Sequence, residues 1–242
     1  MIVIPMAGLS RRFTEAGYTL PKYMLPLHGR TVFAHAVGSF DALFATTPFL
    51  FIARDIADTG NFLRRECAAL GIADARVAIL ARETAGQAET VSLGLDHAGV
   101  PDAEPLTIFN IDTFRAGFRF PEAAWFAGSD GYLEVFRGSG ANWSYVGPAA
   151  GADEPLVART TEKQPISELC CDGLYHFART DDFRAALARE RATPSLNELY
   201  VAPLYNHLIA AGRRIHFDVV PAASITFCGV PAEYEAALAA PF

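Results

Sequence analysis

Cysteine is scarce in this chain of 242 residues. Cys67, Cys170, Cys171 and Cys228 form no Cys-x-x-Cys pair, and adjacent residues such as Cys170 and Cys171 face opposite sides of a strand. Neither a disulfide framework nor a cysteine zinc site is expected, and the thiols are read as buried and reduced. Long apolar runs are missing as well: none approaches the roughly 20 residues that span a bilayer. The opening Met1-Ile2-Val3-Ile4-Pro5-Met6 has no basic leader and no cleavage-like tail, so it reads as a buried strand and not a signal peptide. A cytoplasmic protein without a membrane partner is expected. Positive charge is in deficit, at a formal net −7, which argues against a general nucleic-acid binder. No His-Glu-x-x-His, Gly-x-Ser-x-Gly, Walker A or Gly-x-Gly-x-x-Gly pattern occurs.

What is present is apolar residue in quantity, 51% of the chain, enough for a sizeable core. One domain over residues 1–242 is expected, with a nucleotide-binding half (1–115) and a substrate-binding half (116–242). Short apolar runs at 2–6, 49–53, 76–80 and 106–110 read as strands. Between them, 32–40, 56–70 and 88–97 carry helical spacing. This alternation predicts an α/β fold: a Rossmann-like, doubly wound, mostly parallel but mixed sheet. The second half changes rhythm, with strands expected at 131–136, 143–147, 156–160 and 169–177. Helices near 181–190 and 197–211, strands at 214–220 and 224–227, and a helix after Pro231 complete the pattern.

Ligands of open α/β sheets sit beyond the carboxyl ends of the strands, which selects the loops after Met6, Ala53, Leu80 and Asn110. The first of these is basic. Residues 1–30 hold Arg11, Arg12, Lys22 and Arg30 against the single acid Glu15. Ala7, Gly8, Leu9 and Ser10 form a small-residue turn whose main-chain N–H groups suit an anion, although an ordinary strand-exit turn has the same composition. Thr84-Ala85-Gly86-Gln87 opens a helix, where Thr84 and Gln87 also fit a plain capping box. Asp112 ends the fourth strand, a position for a Mg²⁺-binding carboxylate or for a turn-capping one.

Pro5-Met6-Ala7-Gly8-Leu9-Ser10-Arg11-Arg12-Phe13, followed by Pro21-Lys22, resembles the signature of sugar-phosphate nucleotidyltransferases, which have the nucleotide-diphospho-sugar transferase fold. The resemblance implies that Ala7, Gly8, Leu9, Ser10 and Arg11 hold a triphosphate. It further implies that Arg12 meets the leaving pyrophosphate and Lys22 neutralises the transferring phosphate. Ser10 stands where many members have a second glycine. The segment from Thr84 to Thr90 is similar to the family's base-reading loop, with Gln87 on the base edge, and Asp112 matches its metal-binding aspartate. Later matches imply substrate contacts from Glu162, Lys163, Gly173 and Glu198, the last beginning a helix. Asp218 is the candidate second ligand for Mg²⁺, and Cys228-Gly229-Val230-Pro231-Ala232-Glu233 looks like a worn Gly-Thr-Pro-Glu-Asp segment.

The implied activity is Mg²⁺-dependent transfer of a nucleoside monophosphate from a triphosphate to a phosphorylated small molecule, a sugar 1-phosphate first of all. The short length resembles members serving capsule and surface polysaccharide synthesis. Alternatives are cytidyl transfer to a non-sugar phosphate, a nucleotide-sugar-dependent glycosyltransferase, and a non-catalytic nucleotide-binding regulator. The apolar content allows a homodimer.

Overall fold

Alternating buried strands and amphipathic helices begin the chain, as the apolar runs require. In the computed structural model, which describes residues 1–240, the order is β1 (Ile2–Pro5), α1 (Arg11–Glu15), β2 (Pro26–Leu27), β3 (Arg30–Thr31), α2 (Val32–Gly38), β4 (Phe49–Arg54), α3 (Thr59–Leu70), β5 (Ala75–Leu80) and α4 (Gln87–His97). There follow β6 (Leu106–Phe109), β7 (Thr113–Arg115), β8 (Gly131–Arg137), β9 (Ser144–Pro148), β10 (Val157–Glu162), β11 (Leu169–Phe177), α5 (Thr180–Ala192), α6 (Leu204–Ala210), β12 (Ile215–Val219), β13 (Ile225–Phe227) and α7 (Pro231–Ala239).

These elements fall into two compact units, each assembled from separate stretches of chain. The first unit takes Ile2–Glu83, Phe109–Arg119 and the described residues from Ala223 on; the second takes Met1, Thr84–Ile108 and Phe120–Ala222. Their boundaries do not coincide with a division at residue 115.

In the first unit β1, β4 and β5 run parallel, with Ile2 opposite Phe49 and Phe49 opposite Ala75. Every residue of β1 and the first five of β4 are buried, as expected for parallel strands covered on both faces. Phe40 packs on Phe49, Phe109 and Phe118, with ring centroids 4.8–6.3 Å apart. Phe33 packs on Phe51 and Phe62. Thr31 caps α2, its hydroxyl accepting the Ala34 N–H at 3.0 Å. The helix expected from residue 56 starts at Thr59, because Ala57 and Asp58 are left-handed, with φ of 55° and 59°.

In the second unit β10, β9, β11 and β8 form an antiparallel sheet in that order, and β12 joins β8 in parallel. The register of β11 against β8 shifts between Cys171 and Tyr175. Gly173 sits in that bulge with φ 105°, a backbone state that glycine adopts without strain. The four cysteines are free and buried, and no helix among the described residues is long and apolar enough to cross a membrane.

The helix expected over 197–211 is corrected: α6 starts only at Leu204, and Glu198 lies in an exposed loop. Two causes act together. Pro203 disfavours helical backbone at the residue before it, and the main chain of Leu199 is engaged elsewhere. Its N–H donates to the Ala85 carbonyl at 2.9 Å, and its carbonyl accepts from Ala88 N–H at 2.8 Å.

Candidate active site

In the first unit the loop after β1 carries the basic segment. Ala7 is buried, Gly8 is exposed, and Leu9 and Ser10 are half-buried; Arg11 and Arg12 are exposed on α1. Phe13 anchors this short helix, buried among Tyr18 and Tyr234. Ser10 is left-handed, with φ 52° and ψ 32°. That explains the glycine of related loops: the conformation costs a residue with a Cβ about 1–2 kcal/mol. Serine brings a partial offset, because its hydroxyl accepts the Lys22 backbone N–H at 3.4 Å. The loop and the Pro21-Lys22 turn are thereby tied together.

Lys22 in turn reaches the other element of the signature. Its ammonium donates to Asp112 Oδ2 at 2.6 Å, both side chains being about one-fifth exposed. Asp112 lies in the turn between β6 and β7, and its carbonyl accepts the Cys228 N–H at 2.7 Å. Gly229 follows against the carboxylate: a Cβ there would stand 3.0 Å from Asp112 Oδ2 and 3.4 Å from Glu233 Oε2. Glu233 itself accepts the N–H groups of Gly229 and Val230 at 2.7 and 3.2 Å, holding the turn into α7. Burial, with the Asp112 and Glu233 charges nearby, pushes the Cys228 thiol up to about 12. The sequence reading missed Ser10's link to Lys22 and the wedge of Gly229, although the Gly-Val-Pro-Ala-Glu remnant pointed at the right segment.

In the second unit Gln87 is the first residue of α4. The capping box expected from Thr84 is corrected, since the cap is Gly86 and it makes no side-chain cap bond. Glu89 takes the reaching-back role, accepting Ala85 N–H at 2.5 Å. Thr84 bonds Thr90 at 2.7 Å instead.

Glu162 ends β10, where Ser144 Oγ donates to its carboxylate. Burial raises the Glu162 carboxyl above its usual range, against the Ser144 bond and the Lys163 charge. Lys163 is left-handed at φ 56°, its N–H bonds the Trp143 carbonyl, and its ammonium donates to Tyr200 Oη at 2.6 Å. That bond holds the Lys163 pKa above its ordinary value. Gly173 is buried in β11, Glu198 is exposed, and Asp218 sits within β12 opposite Glu134 of β8. Thus Arg12, Lys22 and Asp112 belong to the first unit, and Gln87, Glu162, Lys163, Gly173, Glu198 and Asp218 to the second.

The loop after β1 thus leads into two exposed arginines on α1, and Lys22 pairs with a carboxylate in the turn after β6. Comparison carries this further. The chain is 51% identical to a nucleoside-diphosphate-sugar pyrophosphorylase from Vibrio cholerae RC9, with a TM-score of 0.94 over 99% of this chain and 100% of that one. It belongs to the nucleoside-diphosphate-sugar pyrophosphorylase family. A UTP-bound UGPase from Acinetobacter baumannii shares the fold at 15% identity and a TM-score of 0.72, covering 98% of this chain and 91% of that one. A UDP-glucose pyrophosphorylase complexed with UDP-glucose does so at 16% and 0.74, over 98% and 96%. No family model and no curated protein matches the chain.

Family membership implies Mg²⁺ dependence. Among the described residues no group of three or more His, Cys, Asp or Glu gathers to hold a metal. The donor set nevertheless fits Mg²⁺, which is commonly held by one or two carboxylates together with substrate phosphates and water. Asp112 is such a carboxylate, partly exposed and already facing a cation.

Proposed function

We propose that the chain transfers a nucleoside monophosphate from a triphosphate to a sugar 1-phosphate, releasing pyrophosphate. The observation that carries this reading is the 2.6 Å pair of Lys22 and Asp112, tied through Ser10 to the loop that bears Arg11 and Arg12. A phosphate oxygen of the acceptor attacks the α-phosphorus in line. The new P–O bond forms as the bond to the β-phosphate bridging oxygen breaks, and pyrophosphate leaves with that electron pair. The attacking group is already anionic near neutral pH, so no general base is needed; positioning and electrostatic stabilisation supply the acceleration.

Ala7, Gly8, Leu9 and Ser10 offer main-chain N–H groups to the triphosphate, and Arg11 adds charge. Lys22 offsets charge growing on the α-phosphate, and Arg12 offsets that on the leaving group. Mg²⁺ bound at Asp112 supplies charge neutralisation on the phosphate oxygens. Asp218 is carried as a second ligand; the test is whether Asp218→Ala raises the Mg²⁺ concentration needed for half-maximal activity. Gln87 reads the base edge. Glu162 and Glu198 meet acceptor hydroxyls, Lys163 meets the acceptor phosphate, and Gly173 leaves room for the ring. Supply of nucleotide sugars for surface polysaccharide in the cytoplasm is the setting this reading favours.

Exchange of radiolabelled pyrophosphate into ATP, CTP, GTP, UTP and dTTP, with Mg²⁺ and with or without glucose 1-phosphate, tests the reading. Exchange into at least one triphosphate is expected. Its absence for all five, with a panel of other sugar 1-phosphates and phosphocholine also tried, would sink it. A glycosyltransferase or a silent regulator gives no exchange.

A further inference from the structure

Gly86 has φ 149° and ψ −179°, a region of backbone space that is essentially reserved for glycine. The reason is visible next to it. A Cβ on Gly86 would stand 2.6 Å from both the N and the O of Leu199, and these are main-chain atoms that cannot swing aside. The contact is bracketed by two hydrogen bonds, Leu199 N–H to the Ala85 carbonyl at 2.9 Å and Ala88 N–H to the Leu199 carbonyl at 2.8 Å. Leu199 is held at the centre of a three-residue turn, closed by Tyr200 N–H on the Glu198 carbonyl at 3.1 Å. Both ends of this joint carry chemistry. On one side the next residue is Gln87; on the other, Glu198 and Tyr200 flank Leu199, and Tyr200 Oη holds the Lys163 ammonium at 2.6 Å. The first turn of α4 is braced a second time by Glu89, which accepts the Ala85 N–H and lies 3.7 Å from Arg191 of α5.

We propose that Gly86 and Leu199 are positioning residues, joined so that a nucleobase bound at Gln87 sets Glu198, Tyr200 and Lys163 for the phosphorylated acceptor. The inference rests on the roles given to Gln87 and Lys163 above. Gly86 and Leu199 act through the residues beside them. A nucleotide that steadies the start of α4 steadies the 198–200 turn at the same time, because the two share hydrogen bonds.

Hydrogen exchange on the full chain, read in peptides covering 84–90 and 196–201, tests this with each of MgATP, MgCTP, MgGTP, MgUTP and MgdTTP and no acceptor. The productive triphosphate, well above its Kd, is expected to slow exchange about tenfold or more in both segments. Leu199→Pro removes the donated N–H and puts a ring carbon where the Ala85 carbonyl accepted it, parting the joint on that side. In that variant protection persists at 84–90 and is lost at 196–201, and KM for glucose 1-phosphate, or for whichever acceptor proves active, rises more than KM for the triphosphate. Gly86→Ala, if it folds, raises both KM values. Protection confined to 84–90 in the wild type, or unaltered at 196–201 in Leu199→Pro, overturns the joint while leaving the nucleotide reading intact. Protection in neither segment with any triphosphate overturns that reading and the joint with it.

Discussion

Lys22 and Asp112 lie ninety residues apart in sequence, yet the lysine ammonium rests 2.6 Å from the aspartate carboxylate. At about one-fifth exposure such a pair contributes only about 0–1 kcal/mol to stability, so its value is to be sought in turnover. Lys22→Ala and Asp112→Ala should each lower kcat by about 10²-fold or more, the range for removing one preorganised charge at a reacting phosphate. Far-UV circular dichroism and the thermal midpoint should stay close to wild type. Near-normal rates in both variants would remove the pair from the mechanism.

Ser10 sets the opposite test, one in stability. Ser10→Gly removes the left-handed strain at φ 52°, about 1–2 kcal/mol, and with it the long bond to Lys22 N–H, which offsets part of that strain. Ser10→Ala keeps the strain and loses the bond; Ser10→Val adds a β-branched side chain to a conformation it tolerates poorly. Urea midpoints should fall in the order glycine or serine, then alanine, then valine. Any other order refutes the strain argument.

Gly229 is expected to matter for Asp112 more than for folding. An alanine there brings a Cβ to 3.0 Å from Asp112 Oδ2, displacing the carboxylate by a few tenths of an ångström. A loss of about tenfold in kcat/KM follows from so small a misplacement, with the largest change in the Mg²⁺ dependence. Wild-type kinetics in Gly229→Ala would show that the carboxylate has slack.

His176 governs the acid limb of stability. Burial, helped by the N-terminal charge, lowers its pKa from 6.5 to about 3, and Thr107 Oγ1 lies 2.9 Å from Nδ1. The unfolded chain therefore takes up this proton before the folded one does. The stabilising contribution is complete above pH 6.5 and is lost as pH falls from there toward 3. Denaturation curves at pH 7 and pH 5 should diverge less in His176→Gln than in the wild type. An equal divergence would exclude this residue as the cause.

How far the sequence reached differs by element. Buried parallel strands are legible because they are unbroken apolar runs, and β1 and β4 stand within a residue of expectation. Short elements carry too few residues for a periodicity: α1, β2, β3 and β7 went unread. The 197–203 segment has helical spacing, but Pro203 and the bonds from Leu199 to Ala85 and Ala88 take its main chain out of a helix. Local pattern cannot register a competitor more than a hundred residues away.

Charge type, order along the chain and the small-residue loop were determined by the sequence itself. Each is a property of neighbouring residues, and together they carried the resemblance to nucleotidyltransferases. Only the tertiary structure decided that Lys22 faces Asp112, that Gly229 is packed against that carboxylate, and that Gly86 is glycine because Leu199 passes beside it. These depend on distances between residues remote in sequence, which are set when the strands and loops pack and which no local pattern encodes.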